Sequence, residues 1–274
     1  MLTSTSAGRG TVPHGRPPRP FRRRVAASGL PQGPPTPGTV SEADLAPLPP
    51  AAARYLRAMG VLGRPRTWSL RAHLVGRFRL RPGGPWLPLD AWQYNSAVDV
   101  ARLFRMRLLV GGVVPMWGWD TYQDGAGRML GKALGVVTVA DGSGPEFDVG
   151  ELTTWLDDAV LLAPAMLVHP RTRWEDAGED GFSVAVTDAG RTVRATVLLD
   201  DDARPRDVRS DDRWADLPGG PVRTTWSTPV DGWRVVDGIP RMTGGAAVWH
   251  LPDGPYRYAE LRVADLAWDL PPGR

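Results

Sequence analysis

Between Trp68 and Arg81 the chain alternates. Trp68, Leu70, Ala72, Leu74, Phe78 and Leu80 interleave with Arg71, His73, Val75, Arg77, Arg79 and Arg81, with an interruption at Gly76. A period of two marks a strand with one buried and one wet face, the arrangement antiparallel sheets allow. Pro82-Gly83-Gly84-Pro85 forms a turn, and residues 86–96 return as a second strand. Residues 100–110 alternate again, but Arg102 mixes charge into the face that carries Phe104, Met106 and Leu108. Residues 113–123 and 128–139 flank Asp124-Gly125-Ala126-Gly127 and read as a hairpin.

The pattern then changes. Gly144-Pro145-Glu146 leads into residues 147–167, where Leu152, Trp155, Leu156, Val160 and Leu161 have helical spacing and Pro164 breaks the run. Short strands resume at 171–176, 181–187, 192–199, 204–213, 222–228, 232–236, 241–250 and 256–267. Upstream, Ser41 with Asp44 three residues later is a helix start. Pro49-Pro50 opens a second helix over 51–59, and Gly60 ends it.

About a dozen strands with no βαβ alternation make an antiparallel sheet too wide to stay flat. The expected fold class is therefore α+β, mainly β. It is a wide curved antiparallel sheet, a half-barrel or open barrel, with an N-terminal helix and a helical insertion covering one face.

Residues 1–40 hold eight prolines, six arginines and no acid, so they read as a disordered Arg/Pro-rich tail before a single domain over 41–274. Without them the chain carries 27 basic and 30 acidic residues, which argues against a nucleic-acid-binding body. The cluster Arg22-Arg23-Arg24 offers few phosphate contacts. Cysteine is absent, which excludes disulfides and thiolate metal sites. No apolar run approaches the roughly 20 residues of a membrane-spanning helix. The early arginines precede no apolar signal segment, and cytoplasmic residence is the expectation.

Nucleophile elbows, phosphate loops, dinucleotide fingerprints and HExxH motifs are missing, so no cofactor is expected. His14, His73, His169 and His250 are scattered, and a metal site from His169, His250 and a carboxylate is set aside. Twelve tryptophans suit either sheet packing or an aromatic-lined pocket, and in a cup the two coincide. Tyr94, Trp117, Trp119, Trp174, Trp226, Trp249 and His250 are the candidate ligand-binding residues. Lys132 is the only lysine beside 32 arginines. Its ammonium can shift its pKa on burial where a guanidinium cannot, and pairing about the 124–127 turn would bring it near Asp120 or Trp119. Lys132, Asp120 and Tyr122 are thus the candidate catalytic groups. Glu146, Asp148 and Glu151 read as carboxylates stabilising a helix N-terminus.

Leu48 to Tyr55 (LPPAAARY), Arg77-Phe78-Arg79 and Arg128-Met129-Leu130-Gly131-Lys132 resemble a bacterial family of unknown function. So do Gly144-Pro145-Glu146 with Gly150-Glu151-Leu152, and Val248-Trp249-His250-Leu251-Pro252. The resemblance implies a fold similar to the lipoprotein-carrier-like (LolA-like) cup, a curved sheet around an apolar cavity closed by helices. It implies no activity and no catalytic residue. The leading expectation is binding of a hydrophobic small molecule or lipid in an aromatic-lined cup. The alternatives are a cofactor-independent cyclase or isomerase acting in that cavity, and an interaction module working through its basic tail.

Overall fold

The computed structural model describes residues 15–34, 38–217 and 220–274. Three short helices come first: α1 (Arg19–Ala26), α2 (Glu42–Leu45) and α3 (Pro50–Ala58). Six strands follow in sequence: β1 (Ser69–Phe78), β2 (Leu87–Ser96), β3 (Ala101–Val110), β4 (Val114–Gln123), β5 (Ala126–Ala133) and β6 (Val137–Ser143). Helix α4 (Pro145–Leu162) interrupts them and ends in a 3-10 turn at Pro164–Leu167. Then come β7 (Thr172–Asp176), β8 (Gly181–Asp188), β9 (Arg191–Leu199), β10 (Pro205–Ser210) and the small hairpin of β11 (Trp214–Leu217) and β12 (Gly220–Arg223). The chain closes with β13 (Trp226–Ser227), β14 (Val230–Val236), β15 (Ile239–Leu251) and β16 (Gly254–Trp268).

Among the described residues fourteen strands form one sheet, and its strand pairings are all antiparallel. Thirteen lie on one path, β6-β5-β4-β3-β2-β1-β16-β15-β13-β10-β9-β8-β7, with β14 paired to β15 beside it. Such a sheet must curl, because strand twist accumulates across it. The curl is visible in α4, which contacts β4, β5 and β6 at one end of the path and β8, β9 and β10 at the other. The two ends meet below. The Tyr122 hydroxyl donates to Asp188 Oδ2 at 2.8 Å, and Arg191 donates to Gly125 O at 2.9 Å and to Asp148 Oδ2 at 2.6 Å. The result is a half-barrel with α4 plugging its lower opening.

Thirteen of the eighteen residues of α4 are buried, including Leu152, Trp155, Leu156 and Val160. A helix buried on every side belongs in a core. Tyr55 of α3 donates to Val160 O at 2.7 Å, so the N-terminal helix holds the plug from outside the cup. The capping box at Ser41 and Asp44 forms as the spacing predicts, and Gly60 takes φ +70° at the end of α3. Gly76 stays inside β1. A Cβ there would lie 1.9 Å from Glu260 O, so β16 approaches too closely for any side chain.

Three expectations are corrected. Residues 15–34 are no disordered tail: α1 places Phe21 and Val25, one helical turn apart, against Trp92, Tyr94, Leu103 and Trp119 on the convex face. Residues 1–14 lie outside the described residues. The stretch 128–139 is two strands, because a turn at Leu134–Gly135 with φ +51° and +76° reverses the chain. The stretch 222–228 is likewise split between β12 and β13.

Candidate functional site

Cross-strand partners share a face of a sheet. Gln93, Phe104, Asp120 and Met129 form one continuous row across β2 to β5, and all four border a cavity of about 620 Å³ inside the half-barrel. Leu74, Phe78, Met106, Val263 and Leu261 extend its apolar wall, while Trp226, Trp249 and Tyr258 close the far side. Glu151, Thr154, Asp157, Asp158 and Leu161 of α4 make the floor. Ala247 on β15, on the same strand face as Trp249, leaves space that a larger residue would fill.

The floor is charged. Arg102 donates from Nε to Asp158 Oδ2 at 2.8 Å and from Nη1 to Glu151 Oε2 at 2.9 Å, and Asn95 Nδ2 donates to the same Asp158 oxygen at 3.0 Å. Burial works against the Arg102 charge, but Asp158 and Glu151 reverse the effect and hold its pKa above the ordinary value. Glu151 is pushed up to about 7 by burial and by the neighbouring Asp120 charge, against the pull of Arg102 and Arg213. Burial likewise raises Asp120 and, more strongly, Asp157, which accepts from the Thr228 hydroxyl at 2.6 Å. Removing a carboxylate from water disfavours its ionised form, and that is the common cause.

Arg213 enters from the loop after β10. Its guanidinium lies 4.2 Å from the ring centre of Trp226 and 5.2 Å from that of Trp249. Trp226 Nε1 donates to Tyr258 Oη at 3.0 Å, which fixes the aromatic wall. Several polar atoms around the cavity have no hydrogen-bond partner: both amide atoms of Gln93, Asp120 Oδ1, and Nε and Nη1 of Arg213. Unmet donors and acceptors beside an apolar space are what a ligand with a polar end would satisfy.

Among the residues singled out from the sequence, Asp120, Trp226 and Trp249 border this cavity, and Trp117 borders it too although its strand position belongs to the opposite row. The others do not. Lys132 pairs with Trp117, in a row that faces away from the row of Asp120. The two-residue hairpin loop of Asp124 and Gly125, with φ +55° and +76°, pairs Gln123 with Ala126 and so sets Trp117 as the partner of Lys132. A four-residue turn would give Trp119 instead, on the same outward face, because side chains alternate with a period of two. Tyr122 is buried with its hydroxyl on Asp188, where it fastens the two ends of the sheet. Tyr94 and Trp119 lie on the convex face beneath α1, with the Tyr94 hydroxyl donating to Leu270 O at 2.9 Å. Trp174 packs on Phe182 at the β7–β8 edge. His250 points to solvent and bonds Ser227 Oγ at 2.8 Å, because Trp249 beside it takes the inward face.

Arg102, Glu151, Asp157, Asp158, Gln93 and Arg213 were not on the sequence-based list of site residues. Arg102 had announced itself as a charge on an apolar strand face. Glu151 and Asp158, seven residues apart, lie on one side of a helix. Asp148 does act near the helix start, accepting from Gly127 N at 2.7 Å.

Fold and site together define a curved-sheet cup with an apolar interior and a charged floor. The chain belongs to a family of unknown function, DUF6544, whose model matches residues 38–261. No match is found among curated proteins. Similar solved structures include a DUF1329 family protein from Desulfovibrio piger, 14% identical with TM-score 0.43, spanning 85% of this chain and 94% of that one. A LolA superfamily protein from Nitrosomonas europaea is 9% identical with TM-score 0.41, over 80% and 93% of the two chains. A domain described as an outer membrane lipoprotein-sorting protein, from Vibrio parahaemolyticus, is 12% identical with TM-score 0.38, over 73% and 85%. Likeness at this level speaks to neither ligand nor activity.

Proposed function

We propose that this protein binds an amphipathic small molecule or lipid, its apolar part in the cup and its polar end on the charged floor. The cavity carries this reading. Its volume of about 620 Å³ falls within the roughly 300–1,000 Å³ of small-molecule sites, and its wall is mainly aromatic and aliphatic with few convergent polar groups. Native mass spectrometry of freshly purified protein, followed by solvent extraction, tests the proposal. A retained apolar compound displaced by fatty acids supports it, and a cavity that takes up no apolar probe in the folded protein defeats it. Cytoplasmic residence is part of the same proposal and is checked by cell fractionation.

A second reading is favoured by one observation: Glu151 near pKa 7 and a raised Asp120 border the same cavity. A carboxyl group poised near neutrality, as Glu151 is, can give and take a proton. A cofactor-independent isomerase or cyclase acting on the bound molecule would use Glu151 as acid and base. Glu151→Gln that abolishes turnover while the compound is still retained distinguishes this reading from simple binding.

A further inference from the structure

Ten large apolar side chains are exposed among the described residues, and eight of them sit on three neighbouring hairpins at one end of the half-barrel. The β1–β2, β3–β4 and β5–β6 connections lie at this end, opposite the corner where Tyr122 meets Asp188. Leu80 lies on the first, Val113 and Val114 on the second, and Leu134, Val136 and Val137 on the third, with Val113 79% and Val136 76% exposed. Soluble surfaces rarely gather apolar groups this way without a partner.

Charge names the partner. Residues 79–86, 107–118 and 130–140 hold Arg79, Arg81, Arg107 and Lys132 and no carboxylate, whereas residues 41–274 as a whole carry more acids than bases. The adjoining β15–β16 turn contributes one acid, Asp253. Apolar tips backed by cations match an anionic bilayer, whose interior takes the side chains and whose headgroups take the charge. Leu80 and Val139, also at this rim, border the cavity. The apolar tips are therefore continuous with the cavity mouth.

We propose that the three hairpin tips dock the protein on an anionic lipid surface with the cavity mouth facing the bilayer. Lys132, which points away from the cavity, then acts as a headgroup contact. Docking goes beyond the cavity reading and does not need an occupied cavity, so it stands or falls separately.

The test is sedimentation of the full chain with vesicles of phosphatidylglycerol and, in parallel, of phosphatidylcholine. Binding to the anionic vesicles should exceed binding to the zwitterionic ones and should weaken as salt rises. Val113→Asp with Val136→Asp should lower vesicle affinity by about a hundredfold, since each exposed valine accounts for roughly tenfold. Val235→Asp, a site on β14 that is 65% exposed and lies away from the rim, should leave vesicle binding unchanged. Unaltered melting and unaltered uptake of an apolar probe by the double variant show that fold and cavity are intact. The proposal is overturned if wild type ignores phosphatidylglycerol vesicles, or if rim and control variants bind equally. A wild-type oligomer that the double variant dissolves, without vesicle binding, overturns it too and assigns the patch to a second copy.

Discussion

Arg102 on β3 reaches across the cup to Glu151 on α4, Nη1 to Oε2 at 2.9 Å, with both side chains almost fully buried. The contact ties the sheet to its plug through charge, beside the bonds that Asp158 accepts from Arg102 and Asn95. A buried ion pair adds little stability over an apolar substitute, but losing one partner strands the other in a medium that cannot solvate it.

Arg102→Met is therefore expected to destabilise the fold by about 3–5 kcal/mol, because Glu151 and Asp158 lose their shared cation. Glu151→Gln should cost about 1 kcal/mol or less, since an amide can still accept from Arg102 and one like-charge neighbour is gone. Urea denaturation of both variants measures the difference. Equal losses would show that the Glu151 charge matters as much as the whole guanidinium and that an amide does not replace it.

The pH dependence follows from the same carboxyl. Glu151 has a folded pKa of about 7, above the ordinary glutamate value of about 4.5, so the native state binds the proton more tightly than the unfolded chain. Its contribution is fully present below about pH 4.5 and is lost as pH rises through 7, at up to about 1.4 kcal/mol per pH unit. Asp120 and Asp157, also raised, act in the same direction. Melting followed from pH 5 to pH 8 should show stability falling, with a smaller fall in Glu151→Gln. A rising profile for the wild type, or parallel profiles for the two proteins, would contradict the assignment.

The strand plan was legible because alternation and turn residues are local signals. The pairing of Gln93, Phe104, Asp120 and Met129 in one inward row follows once the strands are counted and their turns are assigned. The placement of Lys132 beside Asp120 fails on parity: a two-residue turn pairs it with Trp117 and a four-residue turn with Trp119, and both face away from Asp120. Arg102 was visible as an anomaly, but its partners lie 49 and 56 residues away on a helix, and no local pattern points to them. Helix α1 was hidden for a compositional reason. Its Arg-rich surface looks like a solvated tail, and only Phe21 and Val25, four apart, record the buried face.

Truncation should expose that face. Phe21 stacks on Trp119 at 6.2 Å and packs against Trp92 at 6.4 Å, ring centre to ring centre, and Arg24 lies over Trp119 at 4.4 Å. Phe21→Ala should cost about 3–4 kcal/mol. Deleting residues 1–34 should lower the melting temperature by several degrees or more. An unchanged melting temperature would mean that α1 docks too weakly to matter.

Gly76→Ala probes the seam between β1 and β16. The added Cβ would sit 1.9 Å from Glu260 O, a backbone atom that cannot rotate away, so the strands must separate. A loss of about 3 kcal/mol or more, or failure to fold, is expected. Gly118→Ala is the matched control: its Cβ meets only the flexible end and Cγ of Met106, which can move, and the loss should be smaller. Chemical denaturation of the pair decides the matter.

The last prediction separates the cavity from the outer face by using two charged residues on adjacent strands. Asp120 borders the cavity with Oδ1 unpartnered, while Lys132 belongs to the oppositely facing row. If the cup holds the ligand, Asp120→Asn should change affinity for an apolar fluorescent probe with a polar end by about tenfold, because it alters both the charge and the donor pattern on the cavity wall above the floor. Lys132→Met keeps most of the side-chain stem and removes a charge that does not face the cavity. It should leave probe affinity within about twofold, well below the effect of a buried polar contact. Competition binding with the two variants in parallel is the measurement. Loss of probe binding in Lys132→Met with full binding in Asp120→Asn would place the ligand on the convex face and remove the cavity from the function.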